Sequence, residues 1–212
     1  MSAASGLEFG GASLRYGQPL APGGLGLVHD LLATSPAGRP REPDLLESPD
    51  TATRWAGAAM SDWSTVSTVP SPAPTLSATD VDELRQLRDE LRTALIDRDH
   101  GTEPSTGRAW TLTLGAEFDH TAADPAQTVR LGPRGTGWRL VASAVLLEVF
   151  LAQRDGTWQR LKVCRNHRCA GAFYDRSRNN SGVWHDVRTC GNVANLRASR
   201  ARRRAQGLTE PG

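Results

Sequence analysis

The sequence predicts an α+β chain. A mainly helical N-terminal domain with a small β-hairpin is followed by a small cysteine-rich module of treble-clef-like or knuckle type and a basic C-terminal helix. Three observations predict it. Two long stretches, Thr79–Arg98 and Trp138–Gln153, carry helix-length apolar patterns. All three cysteines fall between positions 164 and 190. Arginines crowd the stretch 197–204 immediately after them.

Residues 1–24 are rich in Gly, Ala, Ser and Pro without a period and read as a flexible leader, with a short strand near Leu14–Tyr16. A short helix is expected at Leu25–Leu32, where Leu25, Val28, Leu31 and Leu32 share one side. Four prolines make residues 34–49 a loop. Ser48–Met60 reads as a helix, with Pro49 in its first turn and Trp55 as its apolar contact. The Ser/Thr/Pro-rich residues 61–78 read as a long loop. In the clearest helix, Thr79–Arg98, Thr79 and Asp82 make a capping-box-like start and Leu84, Leu87, Leu91 and Leu95 form one stripe. Gly101 and Pro104 end it.

Trp110–Phe118 and Gln127–Leu131 predict a hairpin across the loop Asp119–Ala126. Trp138–Gln153 is almost continuously apolar, too long for a typical strand and too short to span a membrane, so it reads as a buried helix. Asp155-Gly156 turns the chain, and Trp158–Val163 reads as a strand that delivers Cys164. The expected division is a leader (1–24), a helical domain (25–156), a cysteine module with its basic helix (157–206) and a tail (207–212).

The formal net charge of +2 hides a polarity. Residues 1–159 carry 13 Arg against 20 Asp and Glu, a net −7, whereas residues 160–212 carry 12 Arg and Lys against 3 acids, a net +9. An acidic body with a basic end points to a polyanionic partner. Three cysteines cannot all pair within one chain, and no apolar stretch is long enough for a signal or a membrane span. These features predict a soluble, cytoplasmic protein whose clustered thiols are metal ligands.

The spacing Cys164-x4-Cys169-x15-His185-x4-Cys190 is how a small structural zinc site is built. Each short pair holds one edge of a tetrahedron, and the loop brings the edges together. Three thiolates and a neutral imidazole leave the site near −1, a charge that neighbouring arginines can offset. Phe173, Tyr174, Val183 and Trp184 would form the little core such a module can have. His167, inside the first pair, competes for the fourth position; His185 is preferred because it pairs with Cys190. Four protein ligands leave no open coordination position, so the expected role of the single zinc is structural.

From Gly191 the chain can run as a helix to about Gln206, with Arg197, Arg200 and Arg204 on one face and Arg202 and Arg203 widening it. Candidate nucleic-acid contacts are Arg176, Arg178, Arg188, Asn192, Arg197, Arg200, Arg203 and Arg204. No nucleophile elbow, phosphate loop, His-Glu-x-x-His or paired-carboxylate signature occurs in residues 25–160, so no catalytic residue is assigned and an enzyme is not expected. His29, His100 and His120 read as surface or capping histidines. The two other readings from the same residues are a zinc-stapled protein-interaction adaptor and an RNA-binding protein.

Cys164, Cys169, the run Phe173-Tyr174-Asp175-Arg176-Ser177-Arg178-Asn179, Trp184 and Cys190-Gly191-Asn192 resemble the CGNR zinc finger of bacterial transcription regulators. That finger usually follows an ABATE domain. A looser resemblance to ABATE rests on Leu27-Val28-His29-Asp30-Leu31-Leu32, on Leu84 to Leu95 and on the apolar helix before the finger. Two departures stand out. His185 occupies a position where the family usually has cysteine, and Val193 replaces the last residue of the Cys-Gly-Asn-Arg signature. Zinc accepts the first exchange; the second removes a phosphate or base contact. The resemblance implies a transcription regulator. With the basic end placed on a metal knuckle, the reading is a DNA-binding protein whose acidic body senses a small-molecule effector or oligomerises, and because one finger alone reads few bases a homodimer fits.

Overall fold

The computed structural model describes residues 11–37, 41–103, 107–118, 129–192, 196, 199, 200, 202 and 203. Four helices form the body: α1 (Leu25–Ala33), α2 (Pro49–Ser67), α3 (Ala78–His100) and α4 (Trp138–Arg154). Two small antiparallel sheets accompany them. Strands β1 (Leu114–Phe118) and β2 (Val129–Pro133) pair with Leu114 opposite Pro133, and β3 (Leu161–Val163) pairs with β4 (Ala172–Tyr174). The α+β class is as expected. Among the described residues no helix is long and apolar enough to cross a membrane.

Helix α1 is the centre. All nine of its residues are buried, because α2, α3, α4 and β4 pack around it. A helix enclosed on every side shows no polar stripe, so the expected one-sided pattern is replaced by burial all round. Its two polar residues are accommodated by hydrogen bonds. Asp30 accepts from the Ser13 N–H (2.9 Å), the Ser13 hydroxyl (3.0 Å) and the Trp55 indole (2.9 Å). Burial nevertheless pushes its pKa up to about 6. The Ser13 contacts explain why the leader is not loose where it is described. Residues Ser13–Tyr16 form a 3-10 helix in place of the expected strand, and Ala12, Ser13 and Ala21 are buried.

The cap of α2 is Ser48, whose hydroxyl accepts from the Thr51 N–H while Thr51 reaches back to the Ser48 N–H. The helix continues past Met60 to Ser67, through a stretch expected to be a loop. The extension buries Trp63 completely and places its indole N–H 2.8 Å from the Glu148 carboxylate of α4. That tertiary contact outweighs the weak helix propensity of Ser and Thr. Helix α3 starts two residues earlier than expected in its capping pair. Ser77 and Asp80 form the box, not Thr79 and Asp82, and Asp80 also accepts from the Trp138 N–H (3.0 Å), joining the starts of α3 and α4. Leu84, Leu87, Leu91 and Leu95 are buried as a stripe together with Val81.

In the hairpin, β1 begins later than expected, and β2 runs on past Leu131 to Pro133. Trp110 lies outside β1, edge-on to Trp138 with ring centroids 5.6 Å apart. The expected loop Asp119–Ala126 lies outside the described residues. Trp158–Arg160 is a 3-10 turn, so only Leu161–Val163 of that segment is strand. Leu161, Val163 and Ala172 belong to the main hydrophobic core. The cysteine module is therefore rooted in the helical body rather than appended to it.

Gly24, at the start of α1, faces the carboxyl of Glu148; a Cβ there would lie 2.1 Å from its carboxyl carbon. Gly24→Ala is expected to displace this buried carboxylate from Trp63 and to destabilise the chain by about 1–3 kcal/mol, read from the midpoint of urea unfolding.

Candidate metal centre

Strand β3 ends at Val163 and delivers Cys164 directly after it, and a tight turn then brings the next sulfur beside it. The Cys169 N–H and the Ala170 N–H both donate to the Asn166 carbonyl (2.7 and 2.9 Å), and the Cys164 N–H donates to the Gly171 carbonyl (2.9 Å). The chain returns along β4 and is clamped by Lys162. Its ammonium donates to Asp175 Oδ2 (2.8 Å), the Asn180 carbonyl (2.7 Å) and the Gly182 carbonyl (3.0 Å). Burial works to raise the pKa of Asp175, but the Lys162 ammonium and the donors of Ser177 and Gly182 hold it well below the usual carboxylate range. This pair shapes the loop 175–182 that carries the chain to the second half of the site.

Asp186 then caps a five-residue π-helical turn, Val187–Gly191, accepting from the Arg188 N–H (2.6 Å) and the Thr189 N–H (3.2 Å). The turn presents Cys190. The next residue is glycine because Trp184 lies against it: a Cβ on Gly191 would sit 3.0 Å from the indole.

The donor atoms of Cys164, Cys169, His185 and Cys190 all lie within 4.8 Å of one another. The three cysteines are buried, and His185 is half-buried with Nδ1 3.3 Å from the Cys169 sulfur. A zinc with bonds of about 2.3 Å to sulfur and about 2.0 Å to nitrogen sets its ligand atoms roughly 3.5–3.8 Å apart, within reach of this spread. Phe173 and Trp184 pack around the cysteines as expected. The Cys164 thiol and His185 turn hydrogen bonds toward the Cys169 sulfur and pull its pKa down, while the same bond pushes Cys164 up. A buried, closed set of three thiol ligands and one imidazole fits one structural zinc. His167 is exposed and stands outside the cluster, so His185 completes the donor set.

The basic candidates separate. Arg178 and Arg188 are exposed, and Asn192, Arg200 and Arg203 are exposed and helical, as is Arg202. Arg197 and Arg204 lie outside the described residues. Arg176 is committed elsewhere: its guanidinium donates to the Leu20 carbonyl (2.6 Å) and lies over the Tyr174 ring.

The largest departure from expectation is His29. It is fully buried on α1, not at the surface. Its Nδ1 accepts from the Ala21 N–H and its Nε2 donates to the carbonyl of Ala172 in β4, each at 3.2 Å. Burial pulls its pKa down to about 4, so the ring is neutral at neutral pH. His29 thereby fastens the finger to the centre of the body. His100 is exposed, and His120 lies outside the described residues. Arg92 and Arg98 of α3 reach the finger as well, the latter through the carbonyls of Trp158 (2.9 Å) and Leu161 (2.7 Å). Their only sequence signal is a place near the leucine stripe of α3.

Residues 160–203 match the CGNR zinc finger family. Residues 25–155, more than half of the chain, match the ABATE family, described as "Putative stress-induced transcription regulator". Both families are regulatory rather than enzymatic. Comparison with curated proteins gives no match. With its Cys3His cluster inside the matched finger and its buried helix α1 opening the matched N-terminal segment, the chain belongs to the ABATE family and carries a CGNR zinc finger.

Proposed function

We propose that the protein is a DNA-binding transcription regulator whose zinc finger docks basic side chains on the phosphate backbone. The observation that carries this reading is the set of exposed, helical arginines Arg200, Arg202 and Arg203 on the C-terminal side of the last metal ligand. Among the described residues, none of these, nor Arg178 or Arg188, is ion-paired. Cations left without intramolecular partners keep their full charge for an external anion. Zinc holds Cys190 rigidly, so the start of the helix has a fixed direction. Arg178, Arg188, Asn192, Arg200 and Arg203 are the proposed contacts, with Arg197 and Arg204 on the same segment. Arg176 is left out, because it serves the finger's attachment to the body. The helical domain is the proposed sensing or assembly element.

Titration against duplex DNA over a salt series tests this. The logarithm of affinity is expected to fall linearly with the logarithm of salt, and the double variant Arg200→Ala, Arg203→Ala is expected to flatten the slope by about 2. Affinity indifferent to both salt and substitution would favour a protein-interaction module instead.

A further inference from the structure

Arg92 lies on α3, far in sequence from the finger, yet its half-buried guanidinium packs on the turn that carries Cys169. One nitrogen donates to the Leu32 carbonyl (2.8 Å) and to the Ser35 hydroxyl (2.6 Å), at the end of α1. The other donates to the Ala170 carbonyl. That carbonyl belongs to the peptide group whose N–H, on Gly171, points at the Cys169 sulfur at 3.4 Å. The three groups form one line: guanidinium, peptide, sulfur. A donor on the oxygen of a peptide polarises its N–H and fixes the peptide plane. Ala170 has φ +52°, a left-handed conformation that a residue with a side chain seldom adopts unless its surroundings impose it.

The charges agree with the geometry. A site with three thiolates and a neutral imidazole carries one net negative charge on the metal centre. Thiolate ligands are stabilised by hydrogen bonds and by nearby cations, and partners beyond the ligands themselves tune metal affinity. The finger contains exposed arginines, but the half-buried cation at this turn comes from the helical domain.

We propose that Arg92 is a positioning residue for the zinc centre: by holding the Ala170–Gly171 peptide it aims an N–H at the Cys169 thiolate and supplies a partly buried counter-charge, so that metal retention is set jointly by the helical domain and the finger. Arg98 is the natural control. It also crosses from α3 to the finger, but its carbonyl acceptors at Trp158 and Leu161 precede the metal ligands. The proposal concerns the metal centre alone and stands whether or not the protein binds DNA.

The test is zinc release from the full chain into an excess of a chromogenic chelator, for the wild type, Arg92→Met, Arg92→Lys and Arg98→Met. Arg92→Met is expected to release zinc 10–100-fold faster. Arg92→Lys, which keeps the charge but lacks the planar fork, is expected to fall between it and the wild type. Arg98→Met is expected to release zinc at the wild-type rate. In cobalt-substituted protein, the d–d bands are expected to move in Arg92→Met and to stay in place in Arg98→Met. Wild-type release and an unmoved cobalt spectrum in Arg92→Met would overturn the proposal. Equal acceleration by Arg98→Met would overturn it too, since that is general loosening of the domain contact. If Arg92→Met does not fold, Arg92→Lys carries the test, and a wild-type release rate for it has the same consequence.

Discussion

Chelation of the zinc is expected to unfold the turn 164–171 and the segment 175–192 while the four helices and the β3–β4 pair stay folded. Among the described residues, the cluster around the metal has Cys164, Cys169, Phe173 and Cys190 as its buried members, with Trp184 packed at its edge. That is too little apolar surface to order nearly thirty residues, each of which loses about 1–2 kcal/mol of backbone entropy on folding. A structural zinc supplies on the order of 10 kcal/mol to such a module, and removing it withdraws most of the driving force. The helical body has its own core, in which Leu27, Leu31, Trp63, Leu84 and Leu95 are fully buried. Leu161, Val163 and Ala172 belong to that core, and the Ala172 carbonyl accepts from His29, so β3 and β4 are expected to stay paired. Hydrogen exchange with and without chelator checks this. Protection should vanish across residues 164–171 and 175–192 and persist in α1 to α4 and in β3 and β4. Undiminished protection in the finger would mean that the metal is dispensable for its fold, and Cys169→Ala should reproduce the effect of chelation.

Replacing His29 with alanine is expected to be the most damaging single change in the helical body, at about 4 kcal/mol near neutral pH. The substitution leaves the Ala21 N–H and the Ala172 carbonyl without partners in a fully buried place and opens a cavity beside β4. Its pH dependence follows from the ring's depressed pKa. Between about 6.5 and 4 the folded chain binds fewer protons at this site than the unfolded chain, so the stability due to neutral His29 is full above about 6.5 and is lost as pH falls through about 4. Asp30 runs the other way. Its pKa is raised to about 6, so its contribution is full below about 3.8 and is lost as pH rises through about 6. The two neighbours oppose each other over one window, which flattens the wild-type profile. The difference between wild type and His29→Ala should therefore shrink by about 3 kcal/mol as pH is lowered from 7 toward 4. Paired urea melts over that range measure it; a difference that stays constant with pH would show that the ring is not held neutral.

The metal donor set could be read from spacing alone. Cys164, Cys169, His185 and Cys190 are close in sequence, and a site with two short pairs is decided by local turns that Asn166, Asp175, Gly182 and Asp186 make possible. The long helices could be read for the same reason: the leucine stripe of α3 and the apolar run of α4 are periodic, and period is a local property. What only the tertiary structure decided is how the finger is seated. Arg92 reaches Ala170, Arg98 reaches Trp158 and Leu161, Arg176 reaches Leu20, and His29 reaches Ala172. In each case the acceptor is a backbone carbonyl. Every residue carries one, so no pattern of side chains announces the partner. The burial of α1 on all sides and the extension of α2 to Trp63 have the same origin, since both depend on neighbours brought close by folding rather than on the residues beside them in the chain.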